Sequence, residues 1–401
     1  LSLDGRLIAV KGALPLAMGM KESGVRRVVF PAANAAEASM VNGIDIIPAY
    51  NLSEVVAYFM GKKKIIIYNN EKIVKNEDKF DMDFSDVAGQ YAAKRAIMIA
   101  AAGGGHGIYL SGEPGSGKTM LARRIPTVMP KLSYEEKLEL TKIYSISGLL
   151  GENEPFIEKR PFRMPYHAVT PAALLGGGHI PKPGEISLAH CGVLFLDEFP
   201  EFDKKIIELL RQPMEEGRVT VSRAKYTVEY PADFMLIAAM NPCPCGYYGH
   251  PSRECVCSQS AVYQYMNRIS GPVLDRIDLH VHVSPLSFSE LYGERPEESS
   301  ATIRLRVVAA RATQQARFAG LPIHCNASMG SKQIRAFCPL PAESETMLRR
   351  AMERMHLSAR AYDRIVKVAR TIADLAGEAR IAPAHIAEAI RYRSLDRESA
   401  R

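Results

Sequence analysis

The stretch YLSGEPGSGKTML, residues 109 to 121, constrains the fold more than any other part of the chain. It fits G-x-x-x-x-G-K-[ST], with Gly112, Gly117, Lys118 and Thr119 at the fixed positions. HGIYL before it reads as a strand and MLARRI after it as the start of a helix. A glycine-rich loop in that setting can turn successive N–H groups toward phosphate oxygens, and the helix adds its positive end. The run Gly112, Glu113, Pro114, Gly115, Ser116, Gly117, Lys118, Thr119 and Met120 is therefore expected to hold the phosphates of a nucleoside triphosphate. Lys118 is expected to reach the β- and γ-phosphates, and the Thr119 hydroxyl to ligate Mg²⁺. A glycine-rich turn matching by chance would lack the flanking strand and helix.

A second element sharpens this reading. GVLFLDEFPEF is a buried strand ending in Asp197 and Glu198, which sets two carboxylates at the carboxyl edge of a parallel sheet. Asp197 is expected to hold hydrated Mg²⁺ and Glu198 to polarise the attacking water. An acidic pair after a strand is ordinarily a solvated turn; the phosphate loop upstream argues for catalysis. Asn241 ends the strand FMLIAAMN at the same edge, suited to orienting that water or sensing the γ-phosphate. Turn chemistry before Pro242 is the alternative.

Along the chain, residues 1–62 read as a small α/β unit, with RRVVFP as a strand and LSEVVAYFM as a helix. Residues 63–83 read as a linker in which strand-like KIIIY gives way to charge and asparagine. Residues 84–292 interleave apolar strands with amphipathic helices, the pattern of a parallel sheet covered on both faces. Residues 293–401 are helical, with Ser358 and Pro383 near helix starts and Gly377 at a stop. No apolar run is long enough to span a bilayer and no signal peptide opens the chain, so a cytoplasmic protein with no membrane partner is expected. It starts on Leu1, which reads as the beginning of a fragment or of an ordered part. A net charge of +7 suits a polyanionic partner without requiring one.

Four of the seven cysteines crowd into CPCGYYGHPSRECVC, residues 243 to 257. Cys243, Cys245, Cys255 and Cys257 offer four thiolates for tetrahedral Zn²⁺, with His250 as a spare ligand. The C-x-C spacing is tighter than the usual C-x₂-C knuckle, and reduced thiols or a disulfide are the other readings. The expected role is structural, pinning the loop after Asn241.

The phosphate loop, acidic strand and polar Asn241, in this order, look like an AAA+ ATPase. RPFRMPYHAVTPAALLGGGHIPKPGEISLAHCGVLFLDE, LRQPMEEGRVTVSRA, AAMNPCPCGYYG, SGPVLDRIDLHV and LSARAYDRIVKVARTIADLAG together resemble the magnesium-chelatase-like ATPases of the ComM/YifB family. The resemblance implies an AAA+ parallel sheet with a helical lid and a hexameric ring with ATP between subunits. It assigns Arg276 as an arginine finger and Arg360 as the sensor arginine of the lid. It makes TPAALLGGGHIPKPGEIS an insert and GRVTVSRAKYTVEYPA a β-hairpin, both facing the ring pore, where Lys182, Arg218, Arg223 and Lys225 would meet DNA. Residues 1–62 resemble the distal part of a Lon-type protease domain. Leu14 stands where the family's catalytic lysine would be, so no peptidase chemistry is expected there. The implied activity is ATP-driven movement along single-stranded or branched DNA, most specifically branch migration in homologous recombination, with recombination proteins as partners. A magnesium-chelatase motor and a protein remodeller are the rival readings.

Overall fold

The structure is a computed structural model and describes residues 1–68, 80–151, 156–179, 181–223, 226–250, 253–286, 290 and 297–393. The first unit pairs two parallel strands, β1 (Arg27–Pro31) and β2 (Asp45–Ala49). Around them lie α1 (Ala13–Glu22), α2 (Ala35–Ala38) and α3 (Leu52–Phe59). Leu14, at the position matched to the lysine, is fully buried in this unit's core beside Ala17, Phe30 and Ile46. KIIIY is not a strand. Residues 64–68 are tied to β2 by a backbone bond from the Tyr68 N–H to the Ile46 carbonyl at 2.8 Å. Ile66 stays exposed because no sheet face is there to cover it. Most of the expected linker, residues 69–79, lies outside the described residues.

The main sheet is built from β3 (Ile108–Gly112), β4 (Phe162–Arg163), β7 (Val193–Leu196), β10 (Met235–Met240) and β11 (Leu279–Val283). Its order is β11-β3-β10-β7-β4, and every pairing is parallel. Strands buried on both faces need continuous apolar runs, and Val193, Leu194, Phe195 and Leu196 are all fully buried. Their side chains alternate: Val193 and Phe195 join the core on one face, Leu194 and Leu196 the core on the other. The first face carries α4 (Tyr91–Ala102) and α5 (Lys118–Val128). α6 (Tyr134–Ser147) carries the N-terminal unit, with the Tyr134 hydroxyl donating to the Met40 carbonyl at 2.8 Å.

The second face is covered by short elements. They are α7 (Pro171–Leu175), α8 (Glu185–Leu188), α9 (Lys204–Leu209), α10 (Arg211–Glu216), α11 (Gln259–Met266) and α12 (Gly271–Leu274). Two small hairpins project from them, β5 (Gly176–Gly177) with β6 (Lys182–Pro183), and β8 (Arg218–Arg223) with β9 (Tyr226–Pro231).

The C-terminal helices are α13 (Ser300–Arg317), α14 (Ser331–Phe337), α15 (Ala342–Met355), α16 (Ala359–Leu375) and α17 (Pro383–Arg391). The last three match the expected helices. Ser358 caps α16 by accepting the Ala361 N–H at 3.2 Å, Pro383 opens α17, and Gly377 follows α16 at φ 72°. Ile303, Val307 and Ile365 pack into the same apolar core as Ile97, Ile99 and Leu121. The end of the strands near residue 293 is thus a change of secondary structure and not a gap in packing.

Candidate nucleotide site

Because β3, β10 and β7 are neighbours and parallel, their carboxyl ends bring the phosphate loop, Asn241 and the pair Asp197–Glu198 to one edge. Gly115 (φ 80°) and Gly117 (φ 93°) turn the loop through backbone conformations that a side chain would strain. Gly117 is the cap of α5, so the helix begins on Lys118 and points its amino end into the loop. The Lys118 ammonium donates to the carbonyls of Gly112 (2.7 Å) and Glu113 (2.9 Å) and to Asn241 Oδ1 (3.2 Å). Burial lowers the Lys118 pKa, opposed by the nearby Asp197 and Glu113 carboxylates. A cation so desolvated gains from an anion beside it. Ser116 Oγ is also buried, with no hydrogen-bond partner among the described residues. A helix amino terminus, a buried cation and an unpartnered hydroxyl fit phosphate oxygens.

The two expected Mg²⁺ ligands meet directly: the Thr119 hydroxyl donates to Asp197 Oδ2 at 2.8 Å. Oxygen donors of this kind, few and close to phosphates, suit Mg²⁺. Asp197 Oδ1 accepts the Glu198 N–H at 3.0 Å, and Glu198 sits in the left-handed region at φ 50° with its carboxylate largely exposed. That conformation is uncommon for a residue with a side chain. His167 Nδ1 lies 3.6 Å from Glu198 Oε2, a neighbour that sequence spacing did not suggest.

Arg276 and Arg360 lie elsewhere. Strand β11 runs parallel to β3 with Leu279 opposite Ile108 and Val283 opposite Gly112. Residues 276–278 therefore enter the sheet at the edge opposite the phosphate loop, roughly 15 Å away along the strand. Arg276 is 4% exposed; its guanidinium donates to the Pro272 carbonyl and lies 2.6 Å from Glu215 Oε1. Arg360 stands exposed in the first turn of α16, with no hydrogen bond or ion pair among the described residues. That helix is anchored to the same far edge. Ser358 Oγ donates to Asp275 Oδ2 at 3.3 Å, and Arg364 donates to the buried Asp278 at 2.9 Å.

Of the residues expected to meet DNA, Lys182 is exposed on β6. Arg218 is at the root of the β8–β9 hairpin, opposite Pro231, and Glu229 (3.4 Å) and Glu216 (3.7 Å) lie against it. Two carboxylates thus share its charge, on a side chain that stays 55% exposed. Arg223 ends β8 opposite Tyr226, while its side chain and all of Lys225 lie outside the described residues. Tyr226 was missed. It shares a face with Val228 and the buried Tyr230 but is 55% exposed, because the hairpin outruns the body that covers its root.

The cysteine loop leaves the sheet directly after Asn241. The Sγ atoms of Cys243, Cys245, Cys255 and Cys257 all lie within 4.8 Å of one another, with Cys243–Cys245 at 3.3 Å, Cys245–Cys255 at 3.5 Å and Cys243–Cys255 at 3.7 Å. Sulfurs about 2.3 Å from a tetrahedral Zn²⁺ would be spaced by about 3.8 Å, so the tight C-x-C spacing does not prevent convergence. The Tyr247 amide holds the Cys245 thiol down at about 6. His250 is no spare ligand: its Nδ1 accepts the Arg253 N–H at 2.9 Å, and its Nε2 faces Glu113 Oε2 at 3.3 Å.

A phosphate loop after an interior strand, an acidic strand end, a polar neighbour and a helical lid packed onto the sheet define a P-loop ATPase fold of the AAA+ class. Comparison with known proteins agrees. The family described as magnesium chelatase, subunit ChlI, matches residues 83–291, and its C-terminal counterpart matches residues 297–393. Competence protein ComM of Haemophilus influenzae is 42% identical over 406 residues, covering 99% of this chain and 77% of that protein. The uncharacterized protein YifB of Escherichia coli is 42% identical over 400 residues, covering 99% of this chain and 76% of its own length. A 67 kDa magnesium-chelatase subunit of Chlorobaculum tepidum is 29% identical over 162 residues, 40% of this chain and 23% of the subunit. The chain belongs to the magnesium-chelatase-like AAA+ family that includes ComM and YifB, a family that uses ATP and Mg²⁺. Among the described residues no helix is long and apolar enough to cross a membrane.

Proposed function

We propose that this chain is one subunit of a cytoplasmic homohexameric ring that splits ATP at the seams between copies and uses the stroke to move along DNA. One observation carries the seam. Lys118, Thr119, Asp197, Glu198 and Asn241 share one edge of the sheet, while Arg276 and the helix bearing Arg360 are fixed at the other. A cation on the far edge of its own sheet serves the phosphates of another copy. In this reading the loop Gly112–Met120 binds the phosphates, and Thr119 and Asp197 hold Mg²⁺. The ion supplies charge neutralisation at the phosphates. Glu198 takes the proton of the attacking water, Asn241 orients that water, and Arg276 and Arg360 arrive from the neighbour. The four thiolates are read as one structural Zn²⁺ site.

For the substrate, the cations Lys182, Arg223 and Lys225 suit a phosphate backbone gripped without sequence readout. Tyr226 at the hairpin end offers a ring on which a base could stack. That one relative is named a competence protein supports work on incoming DNA, specifically branch migration and unwinding during recombination, beside recombination proteins. The same exposed Tyr226 also favours a second reading, a remodeller that pulls on polypeptide. ATP hydrolysis measured with single-stranded DNA, branched DNA and unfolded protein separates them. Stimulation by DNA is expected; stimulation by unfolded protein alone would overturn the DNA reading.

A further inference from the structure

The cysteine cluster is not an isolated knuckle, because two of its loop residues rest on the phosphate loop. Gly246 lies on the ring of Pro114 so closely that a Cβ built on it would stand 2.5 Å from Pro114 Cγ and Cδ. At φ 86° it also needs the freedom of glycine. His250, whose Nδ1 accepts the Arg253 N–H, places its Nε2 3.3 Å from a carboxylate oxygen of Glu113, the residue after Gly112. Both of these side chains are mostly buried, 14% and 8% exposed, so solvent screens the contact little. From the other side, Cys243 lies two residues after Asn241, whose Oδ1 accepts from Lys118. The loop between β10 and α11 thus touches the phosphate loop at Glu113, Pro114 and Lys118, and its described residues form no helix or strand.

We propose that a Zn²⁺ bound by Cys243, Cys245, Cys255 and Cys257 braces the phosphate loop through Gly246, His250 and Asn241, and so sets the affinity of the ATPase for nucleotide. The proposal rests on the nucleotide-site reading given above and adds a second, metal-dependent control to it. The physical basis is chain entropy. Four thiolates on one ion join the two ends of the loop, Cys243 and Cys245 to Cys255 and Cys257, and by closing it metal binding stabilises what the loop touches. Coupling of this kind is reciprocal, so bound nucleotide must also tighten the metal.

The test uses the purified chain with its native metal content. Elemental analysis is expected to give one zinc per chain. Binding of a fluorescent ATP analogue is expected to weaken by about tenfold in His250→Ala, the loss of one close polar contact with a charged group, while zinc content stays at one. Cys255→Ser with Cys257→Ser is expected to lose both zinc and tight nucleotide binding. Saturating ADP is expected to slow zinc release to a chromogenic chelator, and His250→Ala to remove most of that protection. Absence of zinc would overturn the metal site. One zinc per chain, with nucleotide affinity unmoved by His250→Ala and zinc release unmoved by ADP, would overturn the brace and leave the metal standing. Failure of the parent chain to bind the analogue at all would instead count against the nucleotide site.

Discussion

The guanidinium of Arg276 lies 2.6 Å from the carboxylate of Glu215, and Glu215 sits two residues before the turn that starts the β8–β9 hairpin. One buried arginine is thereby tied to the base of the element proposed to grip substrate. To serve a neighbouring copy Arg276 must leave this partner, and a hairpin moved by substrate is the piece of structure able to pull Glu215 away. Arg276→Ala should lower ATP turnover by about 10³-fold with nucleotide affinity nearly unchanged, as expected of a cation needed only in the transition state. Mixing Arg276→Ala subunits with Glu198→Gln subunits should restore part of the rate, because some seams then carry both intact halves. A mixture no more active than either parent would end the shared-seam reading.

The contact between Thr119 and Asp197 at 2.8 Å predicts a divided phenotype at the phosphate edge. Asp197→Asn should raise the Mg²⁺ concentration needed for half-maximal hydrolysis, while Lys118→Ala should abolish nucleotide binding at any Mg²⁺. Glu198→Gln should bind ATP normally and turn over about 10²- to 10⁴-fold more slowly, the range for loss of a general base. Titrations of Mg²⁺ and nucleotide against each variant check this; an Asp197→Asn variant with unaltered Mg²⁺ dependence would remove that residue from the metal's neighbourhood.

Much of this edge could be read from the chain itself, because each of its parts is local. A strand, a glycine-rich loop and a helix start are contiguous in sequence, and a buried strand ending in Asp197 and Glu198 announces where it points. The far edge was legible only through resemblance. Nothing near Arg276 in sequence names Glu215, which comes from a helix about sixty residues earlier. Likewise His250 reads as a metal ligand beside four cysteines, and only the fold turns it toward Glu113. KIIIY has the composition of a strand, yet strand formation depends on a sheet face to cover it, and tertiary context overrode the propensity.

The joint between lid and sheet predicts an acid limit to stability. Asp278 is buried; burial alone would raise its pKa, but Arg364 and the adjacent His106 outweigh it and hold the carboxylate well below the usual range. A carboxylate depressed in the folded state stabilises fully above its unfolded pKa of about 3.9 and loses that contribution as pH falls toward the folded value. The urea midpoint should therefore fall steeply below about pH 4. Asp278→Asn should cost up to about 3 kcal/mol at neutral pH by leaving the half-buried Arg364 without its charged partner, and should flatten the acid slope. Equal acid slopes in parent and variant would show that another group governs the transition.

The hairpin end separates charge from stacking. Replacing Arg223 and Lys225 by alanine should weaken DNA binding about equally for all sequences and make the plot of log affinity against log salt shallower by about 0.7–0.9 per lost phosphate contact. Tyr226 carries no charge, so Tyr226→Ala should leave that slope unchanged. If a base stacks on its exposed ring, affinity for single strands should fall by about 1–3 kcal/mol while blunt duplex binding moves little. Arg218 is the internal control. Its charge already faces Glu216 and Glu229, and Arg218→Ala should change the salt slope less than loss of either tip cation. Fluorescence anisotropy across a salt series reads all three. A Tyr226→Ala variant with intact single-strand affinity but impaired stimulation by unfolded protein would transfer the hairpin from nucleic acid to polypeptide.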